Sequence, residues 1–248
     1  MQTIFLEVEY LGTHYFGFQI QNKHSSREIT VQEMIEKAIK RLFNQDIRID
    51  YTSRTDTGVH AKAQGVSFAV GTKIPLKNIK RALNSFLPYD VKIKKIKAYP
   101  ENWRVRYAVK SKIYRYTVCN AKEQSVFDHD FSWHIIAPLS ITAMKKAAVM
   151  VKGKKDFSLF AKDAKHYENP VRYVKAIKIN RKKQFIYIDI EADGFLRNMV
   201  RNVVSFLELV GSGKIALNKA KNILARKEPY ANKPAPAKGL CLMKVNYV

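Results

Sequence analysis

Apolar and polar residues alternate from Thr3 to Tyr10, with Ile4, Leu6, Val8 and Tyr10 on one face, so the spacing predicts a half-buried strand. The period then changes. Thr30 and Glu33 stand as a T-x-x-E capping box before Val31, Met34, Ile35, Ala38, Ile39, Leu42 and Phe43, which form one apolar stripe at the helical repeat. Gln64 to Val70 alternates again through Val66, Phe68 and Val70. Pro75 opens a second helical pattern through Leu76, Ile79, Leu83 and Phe86, and Val91 to Ala98 returns to extended chain.

The second part runs in a similar order. Ile113 to Cys119 reads as a strand, and Ser140 caps a helix through Ile141, Met144, Ala147, Ala148 and Val151. Alternating strands follow near Tyr173 to Ile179 and Phe185 to Glu191. Asp193-Gly194 then turns the chain into a helix carrying Leu196, Met199, Val200, Val203, Val204 and Leu207. A short helix around Leu217 to Leu224 and a terminal strand, Leu240 to Tyr247, complete the pattern. Both parts read as α+β units, a sheet with helices packed on it. Pro100 interrupts the pattern, which places a boundary near Tyr99 to Lys112 and divides the chain into 1–105 and 106–248. No residue-level repeat relates the two parts.

Composition narrows the class. The 248 residues suffice for one large or two modest domains, at roughly 100 to 200 residues each. With 46% hydrophobic and 11% aromatic residues the chain has a core to bury and is no disordered tail. Its net charge of +24 is spread along the whole length, which argues against a neutral metabolic enzyme and for a polyanionic partner. Nucleic acid fits better than a membrane, because no basic amphipathic helix stands apart from the core helices and no uncharged apolar run approaches roughly 18 residues. Cys119 and Cys241 are far apart and lack Cys/His neighbours, so neither a disulfide framework nor a zinc site is expected. The first ten residues carry Glu7 and Glu9 and no basic segment, so no signal peptide is expected and a cytoplasmic location is.

Chemistry concentrates in Ser53-Arg54-Thr55-Asp56-Thr57-Gly58-Val59-His60, a polar loop between strand-like runs. Two readings are open. Asp-Thr-Gly is turn chemistry, since Asp bonds nearby backbone and Gly permits a positive φ. Alternatively, the Asp56 carboxylate is held ionised by the Arg54 guanidinium and is available as nucleophile or base. Arg197 and Arg201, spaced i,i+4, are expected to project from one helix face. A lone loop histidine such as His60 is more often structural than catalytic. His24, Tyr15, Phe16 and Phe18 read as an RNA path or, for half of them, as core. Lys152, Lys154 and Lys155, and Arg181, Lys182 and Lys183, read as surface turns adding unspecific positive charge.

Arg54 to Ala61, with Gln64 following, resembles the catalytic signature of the TruA family of tRNA pseudouridine synthases. Further segments resemble that family in order: Tyr10 to Gln21, Asn84 with Leu87-Pro88, Lys112-Ile113-Tyr114-Arg115-Tyr116, Lys155 to Phe160, Phe195 to Asn202 with its M-V-R-N core, and Ala237-Lys238-Gly239-Leu240. The resemblance spans essentially the whole chain. Three positions depart from it: Leu11 where an acidic residue is usual, Ser53 for glycine, and Thr57 for a common alanine. Ser53 adds a side chain where glycine would let backbone approach closely.

The resemblance implies an isomerase that converts uridine to pseudouridine in the anticodon stem-loop of tRNA, with no metal or organic cofactor. It implies two similar α+β halves, each a mainly antiparallel sheet with helices on one face, with a cleft between them holding Asp56, in a homodimer. Asp56 is then the essential carboxylate, Tyr114 a substrate contact, Arg54 and Arg201 partners of Asp56, and Arg197 a phosphate contact. Without the resemblance Tyr114 is an ordinary strand tyrosine and the arginines a solvated face. Two rivals remain: a non-catalytic basic RNA-binding or chaperone protein, and the same chemistry on another structured RNA such as ribosomal RNA.

Overall fold

The computed structural model describes residues 1–21, 29–231 and 233–248. In chain order the elements are β1 (Gln2–Tyr10), α1 (Val31–Phe43), β2 (Asp50–Tyr51), β3 (His60–Val70), α2 (Leu76–Phe86), β4 (Val91–Tyr99), β5 (Val109–Cys119), β6 (Trp133–His134), α3 (Ile141–Val151), β7 (Gly153–Asp156), β8 (Val171–Lys182), β9 (Phe185–Ala192), α4 (Met199–Gly211), α5 (Leu217–Leu224) and β10 (Leu240–Tyr247). They fold into two compact units, one of Met1–Lys110 with Leu242–Val248, the other of Ser111–Cys241.

In the first unit β1 lies between β4 and β3 and is antiparallel to both, with Ile4 opposite Phe68 and Ala98. The alternation read from the sequence decides the core. Ile4, Leu6 and Val8 are fully buried, as are Ile35 and Ile39 of α1 and Ile79 and Leu83 of α2, each contributing about 1.5–3 kcal/mol by leaving water. Thr30 caps α1 by accepting the Glu33 N–H at 3.3 Å. The Glu33 carboxylate, however, pairs with Lys37 one turn on, so only half of the capping box forms. Asn84 of α2 holds β4 as a strand would, its amide donating to Ile93 O and its oxygen accepting Ile93 N–H.

The second unit is antiparallel in the order β5-β9-β8-β7, with β6 added parallel to β5. Tyr114, Tyr116 and Val118 of β5 and Ile186, Ile188 and Ile190 of β9 are buried alternately along their strands. The α3 cap is Ser140, which accepts Ala143 N–H at 3.2 Å. Most of α4 is buried, Asn202, Ser205 and Glu208 included. A Cβ on Gly211 would come within 2.7 Å of Met144, which shows how closely α4 passes α3.

Several expectations are corrected. β3 begins at His60, four residues before its apolar alternation, and β5 begins at Val109. Lys154 and Lys155 lie in β7, paired with β8, rather than in a turn. β2, β6 and β7 are two to four residues long, too short for a period to register. The terminal strand, expected in 106–248, runs beside β3 in the first unit, where Val248 N–H bonds Ala108 O and Gly65 leaves room for the Tyr247 hydroxyl. Alternation marks a strand but does not name its neighbours. His24 lies outside the described residues.

Candidate active site

In the first unit the polar loop between β2 and β3 is held from three sides. Val59 N–H bonds Asp56 O at 3.1 Å, closing a turn over Thr57 and Gly58, with Gly58 at φ 77°. The segment after β1 wraps this turn: Phe18 N–H bonds Thr55 O at 3.1 Å and Gly58 N–H bonds Tyr15 O at 3.4 Å. Two glycines allow that approach. A Cβ on Gly12 would lie 2.0 Å from Val59 O, and one on Gly17, which has φ 81°, would lie 2.7 Å from Thr55 O. The buried Tyr10 hydroxyl meets Thr55 Oγ1 at 2.7 Å.

Gln64, fully buried in β3, clamps the start of the loop. Its Oε1 accepts from Thr52 Oγ1 at 2.7 Å and Ser53 N–H at 3.1 Å, while its Nε2 donates to Ser53 O at 2.6 Å. A polar residue at a buried strand position was the sequence signal for this clamp. Ser53 itself is 5% exposed, and its Oγ has no hydrogen-bond partner.

This scaffold leaves Asp56 half-buried, with Arg54 and Thr57 exposed beside it. His60 is buried, and its Nδ1 accepts Gly12 N–H at 3.0 Å, which requires the ring proton on Nε2. His60 is thereby a brace of the loop. Phe18 is wholly buried between Tyr10 and Tyr51, and Tyr15 is buried with its hydroxyl on Asp90 Oδ1 at 2.6 Å. Burial, followed by the Asp90 carboxylate, pushes the Tyr15 phenol above its usual range. These two rings are core, whereas Phe16 is 39% exposed.

In the second unit Tyr114 is buried edge-on against Phe195, with ring centroids 5.2 Å apart. Two strand positions on, Tyr116 donates to Pro236 O at 2.8 Å, and its ring occupies the space a Cβ on Gly239 would need, 2.6 Å away. The second tyrosine of K-x-Y-R-Y thus packs on the glycine of A-K-G-L. Burial raises the Tyr116 phenol far above its usual range, against the opposing field of Arg201. Arg201 Nε donates to Ala235 O at 2.6 Å, and Ala235 N–H returns to Arg201 O, so Arg201 anchors the segment before β10. Asn202 donates to Phe160 O, joining the M-V-R-N helix to the Lys155–Phe160 segment.

Arg197 and Arg201 do not share a helix face. Asn198 precedes α4 in the left-handed region at φ 61°, so the helix starts at Met199 and Arg197 lies in the turn before it. There Arg197 is exposed and pairs with Asp163 at 3.2 Å. The structure therefore gathers Arg54 and Asp56 on one loop, seats Tyr114 on Phe195, and gives Arg201 and Arg197 separate partners. Among the described residues no cluster of three or more His, Cys, Asp or Glu is placed to hold a metal, and no helix is long and apolar enough to cross a membrane.

A family model described as tRNA pseudouridine synthase matches residues 7–108 and 147–248. Among similar proteins, tRNA pseudouridine synthase A of Thermoanaerobacter sp. (strain X514) is 40% identical over 248 residues. Its counterpart in Ruminiclostridium cellulolyticum is 37% identical over 249, and tRNA pseudouridine synthase A 2 of Clostridium perfringens is 38% identical over 248. Each alignment covers 100% of both chains.

Proposed function

Since this chain belongs to the tRNA pseudouridine synthase family, we propose that its Asp56 loop carries the chemistry of the family on uridines of the anticodon stem-loop. The enzyme is an isomerase that forms pseudouridine in tRNA. The C1′–N1 glycosidic bond breaks, the detached uracil turns, C1′ bonds to C5, and the C5 proton leaves while N1 gains one. Atoms and charge balance without a cofactor.

The observation that supports the assignment is the loop itself. Gly12, Gly17, Gln64 and His60 hold its backbone, yet the Asp56 side chain stays partly open to solvent. A carboxylate on a braced loop loses little freedom when substrate arrives, which is the condition for efficient positioning. Asp56 supplies the nucleophile or base, Arg54 on the same loop orients it, and Arg201 contacts the substrate. Tyr114 lies against the flipped base, and Arg197 contacts phosphate. The enzyme works in the cytoplasm as a homodimer.

Tritium release from tRNA labelled at uracil C5 reports the bond change directly, because C5 loses its hydrogen on becoming the glycosidic carbon. Wild type is expected to release label and Asp56→Ala to release none while still binding tRNA. Full turnover by Asp56→Ala would remove Asp56 from the chemistry. Binding without release by wild type would favour a non-catalytic RNA-binding protein.

A further inference from the structure

Side chains on β1 alternate, so Phe5 and Glu7 face away from the core formed by Ile4, Leu6 and Val8. On that face of the first unit lies a groove of about 430 Å³, within the range of small-ligand sites. Its aromatic wall is a cluster in which Phe5 meets Tyr99, Trp103 and Tyr247 edge-on, and Tyr99 stacks on Trp103 with centroids 4.0 Å apart. Around it stand four lysines, Lys62, Lys95, Lys97 and Lys244, and one acid, Glu7. Glu7 pairs with Lys95 at 2.8 Å. Lys62, Lys97 and Lys244 are exposed and have no carboxylate partner among the described residues.

Lys62, Lys97 and Lys244 set three uncompensated positive charges beside an apolar aromatic wall. A strand of RNA offers what they lack: regularly spaced phosphates for the lysines and ribose and base edges for the rings. The groove also adjoins the Asp56 loop along the chain, since Lys62 stands two residues after His60, the brace at which that loop enters β3. Resting on the reading of the chain as a tRNA-modifying enzyme, we infer that this groove binds a stretch of tRNA backbone flanking the target uridine. Lys62, Lys97 and Lys244 take phosphates there, and Tyr99 and Trp103 form the apolar wall. The contact reads backbone rather than sequence.

The test compares the triple variant Lys62→Gln, Lys97→Gln, Lys244→Gln with a control, Lys145→Gln, Lys146→Gln, Lys152→Gln, which removes equal charge from exposed positions of the second unit. Affinity for full-length tRNA is measured against salt. The groove variant is expected to bind about tenfold or more weaker near 150 mM salt, with its log–log salt slope smaller in magnitude by about 2 to 3. The control slope should change by less than half as much, and a Lys→Arg triple at the groove should restore affinity. Equal losses in groove variant and control, or no loss at the groove, would overturn the proposal. So would unchanged RNA affinity with an altered sedimentation mass, which would assign the groove to a second copy of the chain. Tritium release by wild type on the same tRNA is scored separately. Release with unchanged groove affinity sinks only the groove, whereas lost affinity without release sinks only the catalytic assignment.

Discussion

Ser53 carries a hydroxyl in a place that does not pair it. Its backbone is clamped on both sides by Gln64, but Oγ is buried without a partner, and an unsatisfied buried group costs about 1–3 kcal/mol. Ser53→Ala keeps the Cβ and removes the penalty, so thermal melting should rise by about 2–4 °C for each kcal/mol recovered in a chain of this size. Calorimetry checks this, and a fall would mean that the hydroxyl is paired in solution. Tyr230 poses the same problem between Phe160 and Phe206, with a buried, unpartnered hydroxyl. Burial first, and then Glu208, push its phenol up to about 12. The raised value means that the native state holds Tyr230 neutral. The associated stability is complete below the unfolded tyrosine value of about 10 and is lost as pH rises towards about 12. Tyr230→Phe should therefore lose less melting temperature than wild type between about pH 10 and 12, and identical losses would exclude this tyrosine. The position of Asp56, in a polar loop between two strands, was legible at this scale. His60 was read as structural, but its partner was not legible, because Gly12, forty-eight residues away, leaves no local pattern.

Among the elements, the helices α1, α2, α3 and α5 and the strands β1, β9 and β10 were readable because one buried face imposes one period. The start of α4 was not readable. Asn198 takes a left-handed backbone that asparagine tolerates, and this separates Arg197 from the helix bearing Arg201. The wrap of the segment after β1 around the Asp56 loop is the contact on which the proposed activity most depends. In Gly12→Ala the new Cβ would meet backbone at Val59 O, which cannot move aside as a side chain does. The loop should shift, with a stability loss of about 1–3 kcal/mol and a drop in tritium release of about 100-fold. Wild-type release by a folded Gly12→Ala protein would show that the loop needs no such brace. Arg201→Lys keeps the charge but loses the planar fork that reaches Ala235 O through Nε and Asn198 Oδ1 through Nη1. If Arg201 contacts substrate as proposed, losing one charge-assisted bond predicts a fall of about 10- to 100-fold in kcat/KM, and retained activity would refute that role.

For the whole molecule, the charge of +24 predicts tRNA binding that weakens steeply with salt. Sedimentation is expected to show twice the 28.6 kDa chain mass, and a fully active monomer would refute the dimer. The sequence by itself determined the α+β class, the polyanionic partner, most strand and helix positions, and the loop holding Asp56. Each is written in local order, as a period of two or 3.6, a net charge or a compact motif. Tertiary structure alone decided that β10 joins the first unit, that Tyr116 fills the space beside Gly239, and that Lys62, Lys97 and Lys244 converge with Tyr99 and Trp103. Those arrangements depend on which surfaces close over one another when the chain packs, and residues distant in sequence carry no shared local signal of that choice.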